Sequence, residues 1–392
     1  MKFNKWTMGL AAVGVVSLAS AARADEKLSQ VQTALSNTTL SGYVDTAAVF
    51  NPGGIANQYS FAKANGFYLN SVDLALDKPQ DESPWASGYH VELMFGPDAT
   101  PGSYAGAGTA GISTIPIRQA YISLRTPVAN SAIDWKVGVF DTIIGYESTT
   151  DGANPNYTRS YGYTIEPTTQ TGVLGTYKLN DEISFSGGIA DTTYTGGYNA
   201  GINAGTTSGA LVYPTALGSV ALTAPDSWGW AKGATFNAGI VNSPGSAASG
   251  ATSYYAGVTV PTPLSALKAG AAFDYLDEHN SAPGNHANDS IWDIALYGNF
   301  QANDKLSFNV RGEYLNGQNL GGSSFVPVAY TYPTLEVEEL TATVQYNLWA
   351  NVLSRVEVRW DHAEHGTPFF SNSGYTSDAN AFTFALNLIY QF

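Results

Sequence analysis

Apolar and polar positions alternate with a period of two through most of the chain from Leu40 onward, in runs of about 9 to 14 residues bounded by Gly, Pro, Asn and Asp clusters. The runs number sixteen and span 39–50, 66–77, 87–96, 116–126, 132–140, 171–180, 182–192, 216–224, 232–242, 252–261, 265–276, 289–301, 304–316, 335–347, 350–362 and 379–392. In the last of them Phe382, Phe384, Leu386, Leu388, Tyr390 and Phe392 share one face, and Thr383, Ala385, Asn387 and Gln391 share the other. Run 304–316 sets Phe308, Val310 and Tyr314 against Asn309, Arg311 and Glu313; run 350–362 sets Val352, Val356, Val358 and Trp360 against Arg355, Glu357, Arg359 and Asp361. Such strands carry one apolar and one charged face, and about 9–11 tilted residues are enough to cross a hydrocarbon core.

The connections alternate too. Short turns at Pro127 to Ser131, Asn180-Asp181, Pro261 to Pro263 and Ala302-Asn303 interleave with long segments at 51–65, 97–115, 141–170, 193–215 and 317–334. Tight turns on one side and long loops on the other are the habit of outer-membrane barrels. The expected fold is therefore all-β, a transmembrane antiparallel up-and-down β-barrel of about 16 strands over residues 39–392. Alternation alone would also suit a soluble sandwich, and it leaves fourteen or eighteen strands open. The even count, the strand lengths and the aromatics near strand ends (Trp228, Trp230, Trp292, Trp349, Tyr390) favour the barrel.

The amino terminus adds export. Lys2 and Lys5, an apolar stretch from Met8 to Leu18 and the small residues before Ala22-Arg23-Ala24 read as a signal peptide over 1–24, with an alternative cleavage after Ala21. Residues 25–38 then form a short periplasmic lead. Removing 1–24 takes away Lys2, Lys5 and Arg23 and no acid, which moves the net charge from −15 to −18. Nucleic acid is excluded as a partner by that balance. The chain has 0 Cys, so neither disulfides nor thiolate metal sites hold it together, and no stretch after the signal approaches the ~18 apolar residues of a membrane helix.

Several segments carry a resemblance. Ser41-Gly42-Tyr43-Val44-Asp45, Asn70-Ser71-Val72-Asp73-Leu74-Ala75-Leu76, Trp135-Lys136-Val137-Gly138-Val139-Phe140-Asp141 and Asn154-Pro155-Asn156-Tyr157-Thr158-Arg159-Ser160, continuing through Tyr161 to Thr168 and on to Gly172-Val173-Leu174, resemble the outer-membrane β-barrel porin family of Gram-negative bacteria. The closing Leu388, Tyr390 and Phe392 resemble the carboxy-terminal signal read by the insertion machinery. The resemblance implies a bacterial outer-membrane pore in contact with lipid and lipopolysaccharide, passing small hydrophilic solutes, with a homotrimer as the expected assembly. It implies no enzyme activity and no cofactor, and it names no solute.

Candidate chemistry is then a matter of the lumen. By parity Arg125, Lys136, Arg311, Arg355 and Arg359 point inward, alongside Asp45, Asp73, Glu92, Asp134, Glu313 and Glu357. The connection 142–170 holds Tyr146, Tyr157, Tyr161 and Tyr163 together with Glu147, Asp151 and Glu166, too many packable groups for a mere linker. It is expected to fold into the barrel, with its three acids facing Arg311, Arg355 and Arg359; these six, with Arg125 and Lys136, are the expected pore constriction and selectivity residues. The bland alternatives are inter-strand ion pairs and an external lid. A substrate-selective channel for sugars or anions would instead use Tyr43, Tyr121 and Tyr297 as a track. Gly106 to Gly111 matches a dinucleotide fingerprint by letter only, since no strand and helix flank it. Asp361, His362 and His365 lack the spacing of a metal or hydrolase site, because neighbouring strand residues point to opposite faces.

Overall fold

A computed structural model describes residues 37–57, 60, 63–96, 98, 117–129, 131–191, 214–246, 249–280, 288–318, 334–371 and 376–392. The expected signal peptide and the Gly106–Gly111 motif lie outside the described residues. Sixteen antiparallel strands close into one barrel: β1 (Thr39–Phe50), β2 (Gly66–Lys78), β3 (Ser87–Phe95), β4 (Ile117–Val128), β5 (Ser131–Asp141), β6 (Thr169–Lys178), β7 (Ile183–Ala190) and β8 (Thr215–Thr223) make one half. The other half comprises β9 (Thr235–Ser246), β10 (Ser249–Pro261), β11 (Leu267–Asn280), β12 (Asn288–Gln301), β13 (Leu306–Gln318), β14 (Thr334–Trp349), β15 (Val352–Ala363) and β16 (Asn380–Gln391). Each strand pairs with its sequence neighbours, and β16 returns to β1 with Val44 opposite Tyr390 and Ala48 opposite Leu386. Gly42 N donates to Phe392 O at 3.1 Å and Phe392 N to Gly42 O at 3.0 Å, which extends the seam to the final residue.

Burial follows the alternation. In β16 Ala385, Asn387 and Ile389 are buried, while Phe384, Leu386, Leu388 and Tyr390 stand exposed on the outside. A soluble core would bury that apolar set, whereas a barrel in lipid leaves it outward. Exposed Trp85, Trp228, Trp230 and Trp349 gather at the short-turn end. Trp292 against Tyr314 (5.4 Å) and Trp360 against Phe382 (6.5 Å) lie toward the other end. The tight turn from β14 to β15 works because Asn351 adopts φ 63°, a left-handed conformation that Asn tolerates better than most residues.

At the long-loop end, Ile55–Ala56, Phe369–Ser371 and Ser377–Asp378 form a three-stranded sheet. It carries Phe369 onto an apolar layer made by Leu276, Ile291, Leu315, Leu335 and Val337, all on the inner face of β11 to β14.

Candidate functional site

The chain between β5 and β6 runs inside the barrel. After a 3-10 turn at Asp151–Ala153 it forms one α-helical turn, α1 (Tyr161–Ile165), which begins where the Ser160 hydroxyl accepts from Tyr163 N at 2.9 Å. Ile143 and Ile144 pack with Leu174, Leu217, Val241, Ala272 and Ala295 of the inner wall. A Cβ at Gly239 would come within 2.7 Å of Ile144 Cγ2, and one at Gly270 would overlap the Tyr146 hydroxyl, so the wall is hollowed by glycine to receive these two side chains. Tyr146 lies on Tyr297 with ring centroids 4.1 Å apart.

The opposing wall is a ladder of charge set by register. Arg311, Thr341 and Arg359 stand in one row across β13, β14 and β15, and Glu313, Glu339 and Asp361 stand in the next row. Arg311 Nη1 lies 2.8 Å from Glu147 Oε1, its Nη2 3.3 Å from Glu339 and its Nε 3.5 Å from Glu313, and it donates to the carbonyls of Thr158 (2.8 Å) and Arg159 (3.1 Å). Arg359 pairs with Asp361 at 2.8 Å and donates to Arg159 O at 2.7 Å. Arg355 donates to the carbonyls of Asp151 (3.2 Å) and Asn154. Glu357 accepts from Tyr157 N (2.6 Å) and Thr158 N (2.9 Å). Charges this deeply buried persist only when paired and hydrogen-bonded, and here the loop backbone supplies much of what the wall lacks.

Of the three loop acids expected to face Arg311, Arg355 and Arg359, Glu147 alone pairs with one of them. Asp151 takes Arg159, 2.6 Å away on the same loop, and meets Arg355 through its backbone carbonyl. Glu166 faces acids instead: its carboxyl shares a hydrogen bond with Asp274, with Asp293 close by. Burial, and then the Asp274 carboxyl beside it, push the Glu166 carboxyl well above the ordinary range. Parity locates a wall residue's face but says nothing of which loop atom arrives opposite.

Arg125 and Lys136 lie away from the loop. Arg125 pairs with Asp134 at 3.0 Å, and Lys136 sits 4.7 Å over the Tyr121 ring. Tyr43 and Tyr297 are covered, the first accepting from Asp151 N at 3.3 Å and the second donating to Glu147 at 3.4 Å. Of the three tyrosines expected as a track, Tyr121 alone remains half-buried, stacked on His90 at 5.3 Å. His362 bonds Asn380 at 2.9 Å and His365 approaches Glu336 at 3.5 Å, while Asp361 turns inward to receive Tyr161 and Asn57.

Three participants escaped the sequence. Glu339 was hidden in Glu338-Glu339, where either residue could be the inward one. Arg159 sits in a non-periodic loop, so nothing marked it as the partner of Asp151. Arg118 joins Glu92 to Asp141 across the irregularity at Glu92/Leu93, where simple alternation fails.

Toward the short-turn end the lumenal faces of β7 to β9 are unlike this wall: Ser184, Ser186, Ser219, Ala221 and Asn237 are small and uncharged, whereas Leu217, Val241 and Tyr255 pack with Ile143, Ile144 and Tyr146 of the loop. The interior therefore has loop and charge on one side, and on the β7 to β9 side small polar groups below the apolar contacts of the loop.

The fold recurs among solved outer-membrane proteins. The chain is similar to the outer membrane channel DcaP of Acinetobacter baumannii (12% identity, TM-score 0.57, 91% of this chain and 97% of that one). It is similar to an anion-selective porin from Comamonas acidovorans (9%, 0.60, 91% and 99%) and to OmpT of Vibrio cholerae in its trimer form (14%, 0.57, 91% and 99%). No curated protein matches by sequence. Residues 37–392 match the family described as "Putative beta-barrel porin-2, OmpL-like", and the chain, an outer-membrane porin, belongs to that family.

Proposed function

We propose that this porin is a general diffusion pore for small hydrophilic solutes and ions, narrowed by the segment 142–168 seated on the charged wall. The contact that carries the reading is Arg311 with Glu147, which ties the segment to the wall beneath the row of three acids. Because the basic residues of that wall are compensated by loop atoms, solutes travel beside the small polar groups of β7 to β9 and not across an open field between acid and base. The inward acids outnumber the inward bases, so cations are favoured over anions. Closure by sixteen strands encloses more than side chains alone fill, which suits a channel better than a side-chain-filled barrel enzyme.

A homotrimer in the outer membrane completes the reading. The trimer form of the Vibrio cholerae protein supports it, and a monomeric mass in detergent would remove it. The main test is single-channel recording of purified protein in a planar bilayer. Conductance steps that scale with salt and do not saturate with added sugar are expected. A folded barrel that never conducts would overturn the pore, and saturable block by one sugar or anion would replace it with a selective channel.

A further inference from the structure

Where α1 rests on the wall, seven carboxyls meet two guanidiniums. Glu147, Glu313 and Glu339 surround Arg311, and Asp361 with Glu339 takes Arg359. Three acids are left over: Glu166 from the loop, Asp274 on β11 and Asp293 on β12. Asp274 and Asp293 are register partners, so their side chains enter the lumen side by side, where like charges oppose each other. Glu166 and Asp274 share a side-chain hydrogen bond. Two carboxyl groups make that bond only if one of them keeps its proton. Among the described residues no donor reaches either oxygen of Asp293 or Oδ1 of Asp274, although both residues are buried.

The helix touches this pair directly. A Cβ at Gly162 would lie 2.6 Å from Asp274 Oδ2 and 3.3 Å from Asp293 Oδ2, so only glycine lets α1 sit so close. The other titratable or charged groups facing the cluster are Tyr255 from β10, Arg311 and Glu313 from β13, Glu339 from β14 and Glu147 from the loop. Both guanidiniums are already shared among other acids. Among the described residues no group of three acids has the geometry to hold a metal ion. An ionised, donor-less carboxylate in such a place is far costlier than its neutral form, which leaves protons to do the compensating.

We infer that Glu166, Asp274 and Asp293 form a proton-operated latch: protonated they seat α1 on the β11–β12 wall, and deprotonated they repel one another and release the segment, widening the lumen. The released segment exposes these acids to water, where they hold fewer protons at a given pH. The seated form thus binds more protons, and seating weakens as pH rises. The effect on conductance rests on the diffusion-pore reading above; the movement of the segment does not.

The test exploits a chain with 0 Cys. Thr164→Cys, carrying a nitroxide, is reconstituted as full-length protein, and spin-label mobility and single-channel conductance are followed from about pH 6 to about pH 9. Both should rise with pH in the otherwise native chain. Both should stay flat in the Glu166→Gln/Asp274→Asn/Asp293→Asn background, and the single isosteric Asp293→Asn, which perturbs folding least, should flatten the transition. A label immobile throughout, a response kept in these variants, or mobility raised by a chelator at fixed pH would overturn the latch. A label that mobilises with pH in a barrel that conducts at no pH would uphold the latch and sink the pore.

Discussion

Glu313 and Glu339 stand directly opposite one another on β13 and β14, and the Arg311 guanidinium reaches both, at 3.5 Å and 3.3 Å, while also holding Glu147 of the loop. One cation thus reconciles three carboxylates from three separate segments. Arg311→Met should destabilise the folded barrel by about 3–5 kcal/mol, the usual loss when one partner of a buried ion pair is removed. Denaturant unfolding in lipid vesicles measures it. Adding Glu147→Gln should recover part of the loss, and an unchanged midpoint in Arg311→Met would show that the cluster is held by other contacts.

Glycine hollows seat the loop at its other end. Gly270→Ala sets a methyl on the Tyr146 hydroxyl, and Gly239→Ala presses Ile144. Each should cost about 1–3 kcal/mol as overpacking and disturb the Tyr146–Tyr297 stack. Gly53, which has open space around it but φ 68°, tests strain without crowding. Thermal unfolding of the three variants, with conductance recorded for each, separates a loosened loop from a merely weakened barrel: only the hollow-filling changes should alter conductance.

Ser219 and Val220 are neighbours on β8 with opposite outlooks. Val220→Arg turns a charge toward lipid and should cost about 2–4 kcal/mol near the midplane. Ser219→Arg turns the same charge into the lumen, should cost much less, and should move the reversal potential in a salt gradient toward anions. Equal destabilisation by the two changes would contradict the facing assigned to β8.

Phe392 both extends the β1–β16 seam and stacks at 6.5 Å on Tyr390. The two seam hydrogen bonds use its backbone, so Phe392→Ala keeps them while removing the aromatic. Assembly in cells should drop severalfold, whereas refolding of purified chain into detergent should change little. Equal loss in both assays would make the ring a packing element and not a recognition signal.

Much of the barrel was legible because a lipid-facing strand must alternate. The run 39–50 is β1, and 289–301 lies within one residue of β12. The run 232–242 misplaced β9 by a few residues, because Trp230, Ala231 and Lys232 continue the alternation into the turn that precedes Thr235. Sequence also placed Arg311, Arg355 and Arg359 on the inner face. It could not tell that Glu166 would face Asp274 while Glu147 found Arg311, since that depends on how a non-periodic loop turns in space. Nor could it pair Glu313 with Glu339, which requires the register across a connection of unknown path.

The seam between β1 and β16 has a consequence for how the molecule comes into being. The first and last strands of the barrel are neighbours, so the backbone of β1 has an unpaired row of donors and acceptors until β16 has been made. No shorter product can hide that edge, and the wall that anchors the loop, β11 to β15, also emerges late. An exported chain of this design must therefore be kept from sticking to its neighbours throughout transit, and a ribosome that stops early yields an adhesive fragment instead of a smaller pore.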